Sequence, residues 1–81
     1  MKVTVLLFAK AQQIVGADSI ELELEDSPRV QSVLDVLEDQ YPAMSDFLGL
    51  CVVAINHQYA PSRRRIEEGD EVAIIPPVSG G

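Results

Sequence analysis

The residues of this chain that offer chemistry are its last two, Gly80 and Gly81. They close the run Pro76-Pro77-Val78-Ser79-Gly80-Gly81. Read as a chain end, Gly81 carries an α-carboxylate on a stem with no side chains. Glycine has no Cβ, so a Gly-Gly pair enters a slot too narrow for other residues. The two prolines act in the opposite sense, holding the backbone extended and keeping it out of a sheet. A stiff base with a slim tip suits a tail that reaches into another protein's active site. A carboxylate alone is a poor acyl donor, because its oxygen leaves badly. Joined to AMP, that oxygen becomes part of a good leaving group, and a sulfur nucleophile can displace it. The product is a thiocarboxylate, a strong nucleophile near neutral pH. The tail therefore reads as a carrier, charged by one protein and discharged by another.

The side chains offer less. No Ser/His/Asp arrangement, no paired carboxylates in an obvious cleft and no Gly-rich strand-to-helix loop can be found. His57 falls in a predicted turn and reads as a solvated residue, not a base. Cys51 precedes an apolar strand and reads as a buried structural thiol. As the single cysteine it can form no internal disulfide, and no Cys/His cluster has metal-ligand spacing. Arg63, Arg64 and Arg65 are the one basic cluster, read as a solvated loop in preference to a docking spot for an acidic partner or a phosphate. No metal and no bound cofactor are expected on this chain, and catalytic groups are expected from its partners.

Composition limits the setting in which such a tail works. With 81 residues the chain makes one small domain, and 47% hydrophobic content argues for a folded globule. Thirteen acidic residues against six basic ones give a net charge of −7. That charge repels phosphate backbones, which excludes nucleic acid as a partner class and favours a basic protein surface. No apolar run is long enough to span a bilayer, and the segment after Met1 reads as a strand without a signal peptide. The expected location is the reducing cytoplasm.

The elements that must hold the tail follow from periodicity. Residues Lys2 to Phe8 form a buried first strand. Ala9 to Val15 form a short helical turn stopped by Gly16. Ser19 to Leu24 alternate as a half-buried second strand, antiparallel to the first. Ser27 is the predicted N-cap of the main helix, with Pro28 at its first position. Val30, Val33, Leu34, Leu37 and Tyr41 make its apolar stripe, and Pro42 ends it. Met44, Phe47 and Leu48 plug the next loop against the core. Val52 to Ile55 form a third strand, Asn56-His57 a turn, Gln58 to Ala60 a short strand, Glu67 to Asp70 a turn and Glu71 to Ile75 the last strand. One helix covers one face of a sheet, so the class is α+β. The element order is that of the ubiquitin-like β-grasp, whose first and last strands lie parallel at the centre of a mixed sheet. Residues 1–75 are then the domain and 76–81 its tail.

Three segments now carry a resemblance: Leu7-Phe8-Ala9 followed by Gly16, the strand-turn Val53-Ala54-Ile55-Asn56, and above all Gly69-Asp70-Glu71-Val72-Ala73-Ile74-Ile75-Pro76-Pro77-Val78-Ser79-Gly80-Gly81. Together they resemble the MoaD family, the small subunits of molybdopterin synthase, over essentially the whole chain. Members often carry an Arg-Glu pair where this chain has Gln12-Gln13. The resemblance implies the β-grasp fold and a sulfur-carrier role. A MoeB-like activating enzyme would use ATP and magnesium to adenylate Gly81, and a sulfur donor would convert it to a thiocarboxylate. A MoaE-like large subunit, paired with this one in a heterotetramer, would hold cyclic pyranopterin monophosphate. It would accept Pro77, Val78, Ser79 and Gly80 in its active site and supply the catalytic side chains. Related carriers for thiamine or cysteine synthesis, and modifiers joined to lysines through the last glycine, share the Gly-Gly end. The Pro-Pro-Val-Ser run favours the molybdopterin branch.

Strand alternation also predicts a docking surface. Val3, Val5, Leu7, Val72 and Ile74 are assigned to the face under the helix, and Leu6, Phe8, Ala73 and Ile75 to the other. Phe8 and Ile75 should meet on the uncovered face where the tail leaves, with Tyr59 beside them.

Overall fold

A computed structural model describes residues 1–76. The expected tail residues Pro77, Val78, Ser79, Gly80 and Gly81 lie outside the described residues. Five strands form a single mixed sheet in the order β2-β1-β5-β3-β4. They are β1 (Lys2–Leu7), β2 (Ser19–Glu23), β3 (Val52–Ile55), β4 (Gln58–Tyr59) and β5 (Glu71–Ile75). β1 and β5 run parallel at the centre, with Val5 opposite Val72 and Leu7 opposite Ile74. β2 pairs antiparallel with β1, and β3 lies antiparallel between β5 and β4. The last strand is thereby placed against the first, as the element order predicts.

The main helix, α2 (Val30–Gln40), covers one face of this sheet. Its Val30, Val33 and Leu37 are buried, with Leu34 and Tyr41 packed at the edge of the core. Opposite them, Val3, Val5, Leu7, Val72 and Ile74 are all buried, so the side-chain alternation of both central strands is as assigned from sequence. A shorter helix, α1 (Ala9–Val15), closes the end of the core with Ala11. Gly16 ends it at φ 85°, a left-handed cap that returns its N–H to the Gln12 carbonyl. Met44, Phe47 and Leu48 complete the core from a 3₁₀ turn (Pro42–Met44) and a short helix, α3 (Ser45–Leu48).

β1, β2 and β4 each end one residue before the sequence reading places them, and the start of α2 differs by two. α2 starts at Val30 after an extended Arg29, not at Pro28 after Ser27. Ser27 itself is left-handed, at φ 54°. The reason is tertiary. The loop before β5 lies across the start of the helix, so Val30 N–H donates to the Arg64 carbonyl and Gln31 N–H to the Ser62 carbonyl. Ile66 N–H in turn donates to the Pro28 carbonyl. Main-chain carbonyls thus satisfy the free N–H groups that a serine cap would otherwise serve. Within the Arg63-Arg64-Arg65 cluster, Arg64 thereby gains a structural role, since its carbonyl caps α2 while the three side chains remain exposed.

Candidate functional site

The face of the sheet away from α2 is shaped by register. Leu6 lies opposite Ala73, Ala73 opposite Ala54, and Ala54 opposite Tyr59. These four residues make one row across four strands, with its two smallest members in the middle. Small residues between large ones leave a dip. The result is a shallow, mainly apolar depression of about 300 Å³, whose wall also includes Phe8, His57, Glu71 and Ile75. Phe8, Ile75 and Tyr59, the three residues expected together, therefore do line one concave surface. Phe8 is 46% exposed and Tyr59 80% exposed, while Ile75 is half-buried. Val52 pairs with Ile75 and adds a further exposed apolar side chain. Large apolar groups grouped on a surface mark a place where a partner gains from burial.

Each large residue has a local cause for its position. Phe8 continues the extended path of β1 for one residue before α1 begins, which keeps its ring on the uncovered side. Ile75 ends β5 directly before Pro76 and Pro77, so the edge of the depression and the root of the tail are the same stretch of chain. Tyr59 stands on β4, which follows the tight turn Asn56-His57 with both residues left-handed, at φ 52° and 71°. The turn is where the sequence places it, and its two positive φ values match the twist of a hairpin.

A polar clasp fixes the other end of the depression. Asn56 exchanges main-chain and side-chain bonds with Glu71: its N–H donates to the Glu71 carbonyl at 2.9 Å, and its Oδ1 accepts the Glu71 N–H at 3.0 Å. Its amide Nδ2 donates to Asp70 Oδ1 at 2.9 Å, and Glu67 N–H donates to Asp70 Oδ2 at 2.8 Å. Arg64 Nη1 stands 3.6 Å from the same Oδ2. The backbone N–H of Glu67, followed by Asn56 and Arg64, holds the Asp70 carboxyl below the usual range against the opposing effect of burial. His57 is carried by this turn with Nε2 3.6 Å from Glu71 Oε1. Its sequence context is that of a solvated turn residue. It is exposed as expected, yet it also borders the depression.

The remaining candidates lie elsewhere. Cys51 is half-buried, its thiol donating to the Phe47 carbonyl at 3.4 Å, and burial pushes its pKa up. A thiol so held is a weak nucleophile at neutral pH. Among the described residues, no group of three His, Cys, Asp or Glu side chains could hold a metal ion. Nor is any described helix long and apolar enough to cross a membrane. Ala54, Val52 and Glu71 were not singled out from sequence as parts of the site. The signal was present in β3, where Val53 and Ile55 alternate inward and Val52 and Ala54 outward.

Comparison with known proteins places this geometry. The model of the ThiS family matches residues 5–81. The molybdopterin synthase sulfur carrier subunit of Chlamydomonas reinhardtii is 36% identical over the full length of both chains. The subunit of the same name from Haemophilus influenzae is 35% identical, covering 95% of this chain and 96% of that one. Among solved structures, the small archaeal modifier protein SAMP1 of Haloferax volcanii superposes with a TM-score of 0.86 at 28% identity, over 100% of both chains. These likenesses carry the ubiquitin-like β-grasp assignment together with the strand order. The chain belongs to the ThiS family, and its similarity to molybdopterin synthase sulfur carrier subunits runs through the whole of its length.

Proposed function

We propose that this chain is the sulfur-carrying small subunit of a molybdopterin synthase. The observation that supports this reading most is the full-length likeness to subunits bearing that name, within a family match that extends to Gly81. The geometry agrees with it. The central strand β5 borders a depression on the face that α2 leaves open, and in sequence it is followed at once by the Pro-Pro-Val-Ser-Gly-Gly run.

On this reading the chemistry takes place on the α-carboxylate of Gly81. A carboxylate oxygen attacks the α-phosphorus of ATP in a MoeB-like activating enzyme, with magnesium on the phosphates, and pyrophosphate leaves. A sulfur nucleophile then adds to the acyl carbon and AMP departs with the oxygen. If the sulfur arrives as a donor's persulfide, a second thiol reduces the acyl disulfide so formed, taking the donor sulfur into a new disulfide and leaving Gly81 as a thiocarboxylate. A MoaE-like large subunit holds cyclic pyranopterin monophosphate and takes in Pro77, Val78, Ser79, Gly80 and the charged Gly81. Two sulfurs are delivered, in a heterotetramer of two small and two large subunits, and together they form the dithiolene. Phe8, Ile75 and Tyr59 are the docking residues on this chain. It acts in the cytoplasm and has no turnover of its own.

The deciding experiment is an intact-mass measurement on protein taken from its own cells. The expected result is a fraction with one oxygen replaced by sulfur at Gly81, which yields molybdopterin from the pyranopterin only when the large subunit is added. Product formed by this chain alone over several turnovers contradicts the reading. A second reading, a modifier joined to lysines, draws on the likeness to SAMP1. Isopeptide-linked Gly81 on cellular proteins is its signature in the same samples.

A further inference from the structure

We propose that Ala9 positions Phe8 for docking, through a backbone conformation that alanine seldom adopts. The inference rests on the reading of the uncovered face as a docking surface. Four non-glycine residues have positive φ: Ala9, Ser27, Asn56 and His57. Three of them carry polar side chains that can bond to nearby backbone, which makes the left-handed region easier to enter. Ala9, at φ 52°, has no such group.

Its place in the chain explains the demand. A single residue, Phe8, separates the end of β1 at Leu7 from the start of α1 at Ala9. Phe8 is fully extended, at φ −129° and ψ 153°, so it keeps the alternation of β1 and turns its ring away from the core. The chain must then reverse at once, because Ala11 is completely buried two residues later. The left-handed step at Ala9 makes that reversal. It also lets the Phe8 carbonyl accept the N–H groups of Ala11 at 3.1 Å and Gln12 at 3.5 Å. On the other side, Leu7 N–H donates to the Asp18 carbonyl at 2.9 Å. The backbone of Phe8 is thereby held between the sheet and the first turn of α1, while its ring remains free for a partner.

A residue that resists positive φ at position 9 must pull Phe8 out of its extended path or lift α1 off the core. Glycine fits the left-handed region freely and asparagine fits it well, whereas a β-branched side chain fits it worst. The need is therefore for a conformation, and the alanine methyl has no part in it. This distinguishes a positioning residue from one that packs against the partner.

The test compares Ala9→Gly, Ala9→Asn and Ala9→Val, with Ile66→Val as a buried control in the loop before β5. Affinity for the large subunit is read by calorimetry, the position of Phe8 by its NMR resonances, and folding by thermal unfolding. Ala9→Val is expected to weaken binding about tenfold or more and to move the Phe8 resonances. Ala9→Gly and Ala9→Asn should stay within about threefold of the parent. Ile66→Val should lower the midpoint and leave affinity alone. Parent-like binding by Ala9→Val with Phe8 unmoved overturns the proposal, and so does an equal loss in Ala9→Gly. If Ala9→Val fails to fold, Ala9→Leu replaces it under the same two criteria. If the parent does not bind the large subunit at all, the functional reading falls, and the Phe8 resonances alone decide the role of Ala9.

Discussion

The surface of this molecule is organised around two alanines. Ala73 and Ala54 face each other across β5 and β3, and the larger Leu6, Phe8, Ile75 and Tyr59 rise around them. Phe8 projects far enough that replacing it should leave the core unharmed. Phe8→Asp is expected to weaken complex formation by about 2 kcal/mol or more, as is Ile75→Asp, since each puts a charge where the partner must desolvate. Calorimetry against the large subunit, with unfolding midpoints alongside, separates the two effects. Midpoints that collapse would assign these residues to the core, and unchanged binding by folded variants would place the interface elsewhere. Phe8 and Ile75 were legible in the sequence because strand alternation has a strict period of two and both lie next to well-defined strands. Ala54 and Ala73 were harder to see as a site. Alanine has no chemistry of its own, and only the register of three strands reveals that two of them make a floor.

At the level of elements, the clasp from Asn56 to Asp70 ties the β3–β4 turn to the start of β5. Its stability has a direction with pH. The Asp70 carboxyl is held below its ordinary value in the folded protein. Its contribution is therefore complete above the unfolded value, about 3.9, and is lost as pH falls through the lower folded value. Urea unfolding between neutral and acid pH should show an acid loss that is smaller in Asp70→Asn, a variant already weaker by about 1 to 2 kcal/mol at pH 7. An identical acid limb in both proteins would remove Asp70 from the account. The clasp also marks where sequence reading stopped. The turn at Asn56-His57 and the one around Gly69, at φ 91°, were both expected from their residue types. The hydrogen bonds between them were not, because the partners are 14 and 15 positions apart. The same limit misplaced the start of α2. Ser27-Pro28 is a sound local signal, but carbonyls from residues 62 and 64 arrived to do the capping. Local pattern read the elements well, and long-range backbone contacts decided their ends.

For the molecule as a whole, the proposed function separates the folded sheet and helix layer from the C-terminal residues. The tail should be dispensable for folding and indispensable for function. Deleting Gly80 and Gly81 is expected to change stability by less than about 0.5 kcal/mol while abolishing adenylation, and Gly81→Ala should slow charging. Matched unfolding curves and an adenylation assay on the three proteins check this, and full activity in the truncated chain would end the carrier reading. The parallel pair at the centre adds a matter of timing. β1 meets β5 with Thr4 opposite Glu71, so the central contact of the sheet spans nearly the entire sequence. Contacts this distant along the chain form late and slow folding. The row Leu6, Ala73, Ala54 and Tyr59 cannot exist until the last strand has been made and has found the first. A nascent or half-folded chain thus has no depression to offer, and a partner that docks there would engage finished molecules alone, with proofreading built into the order of the strands.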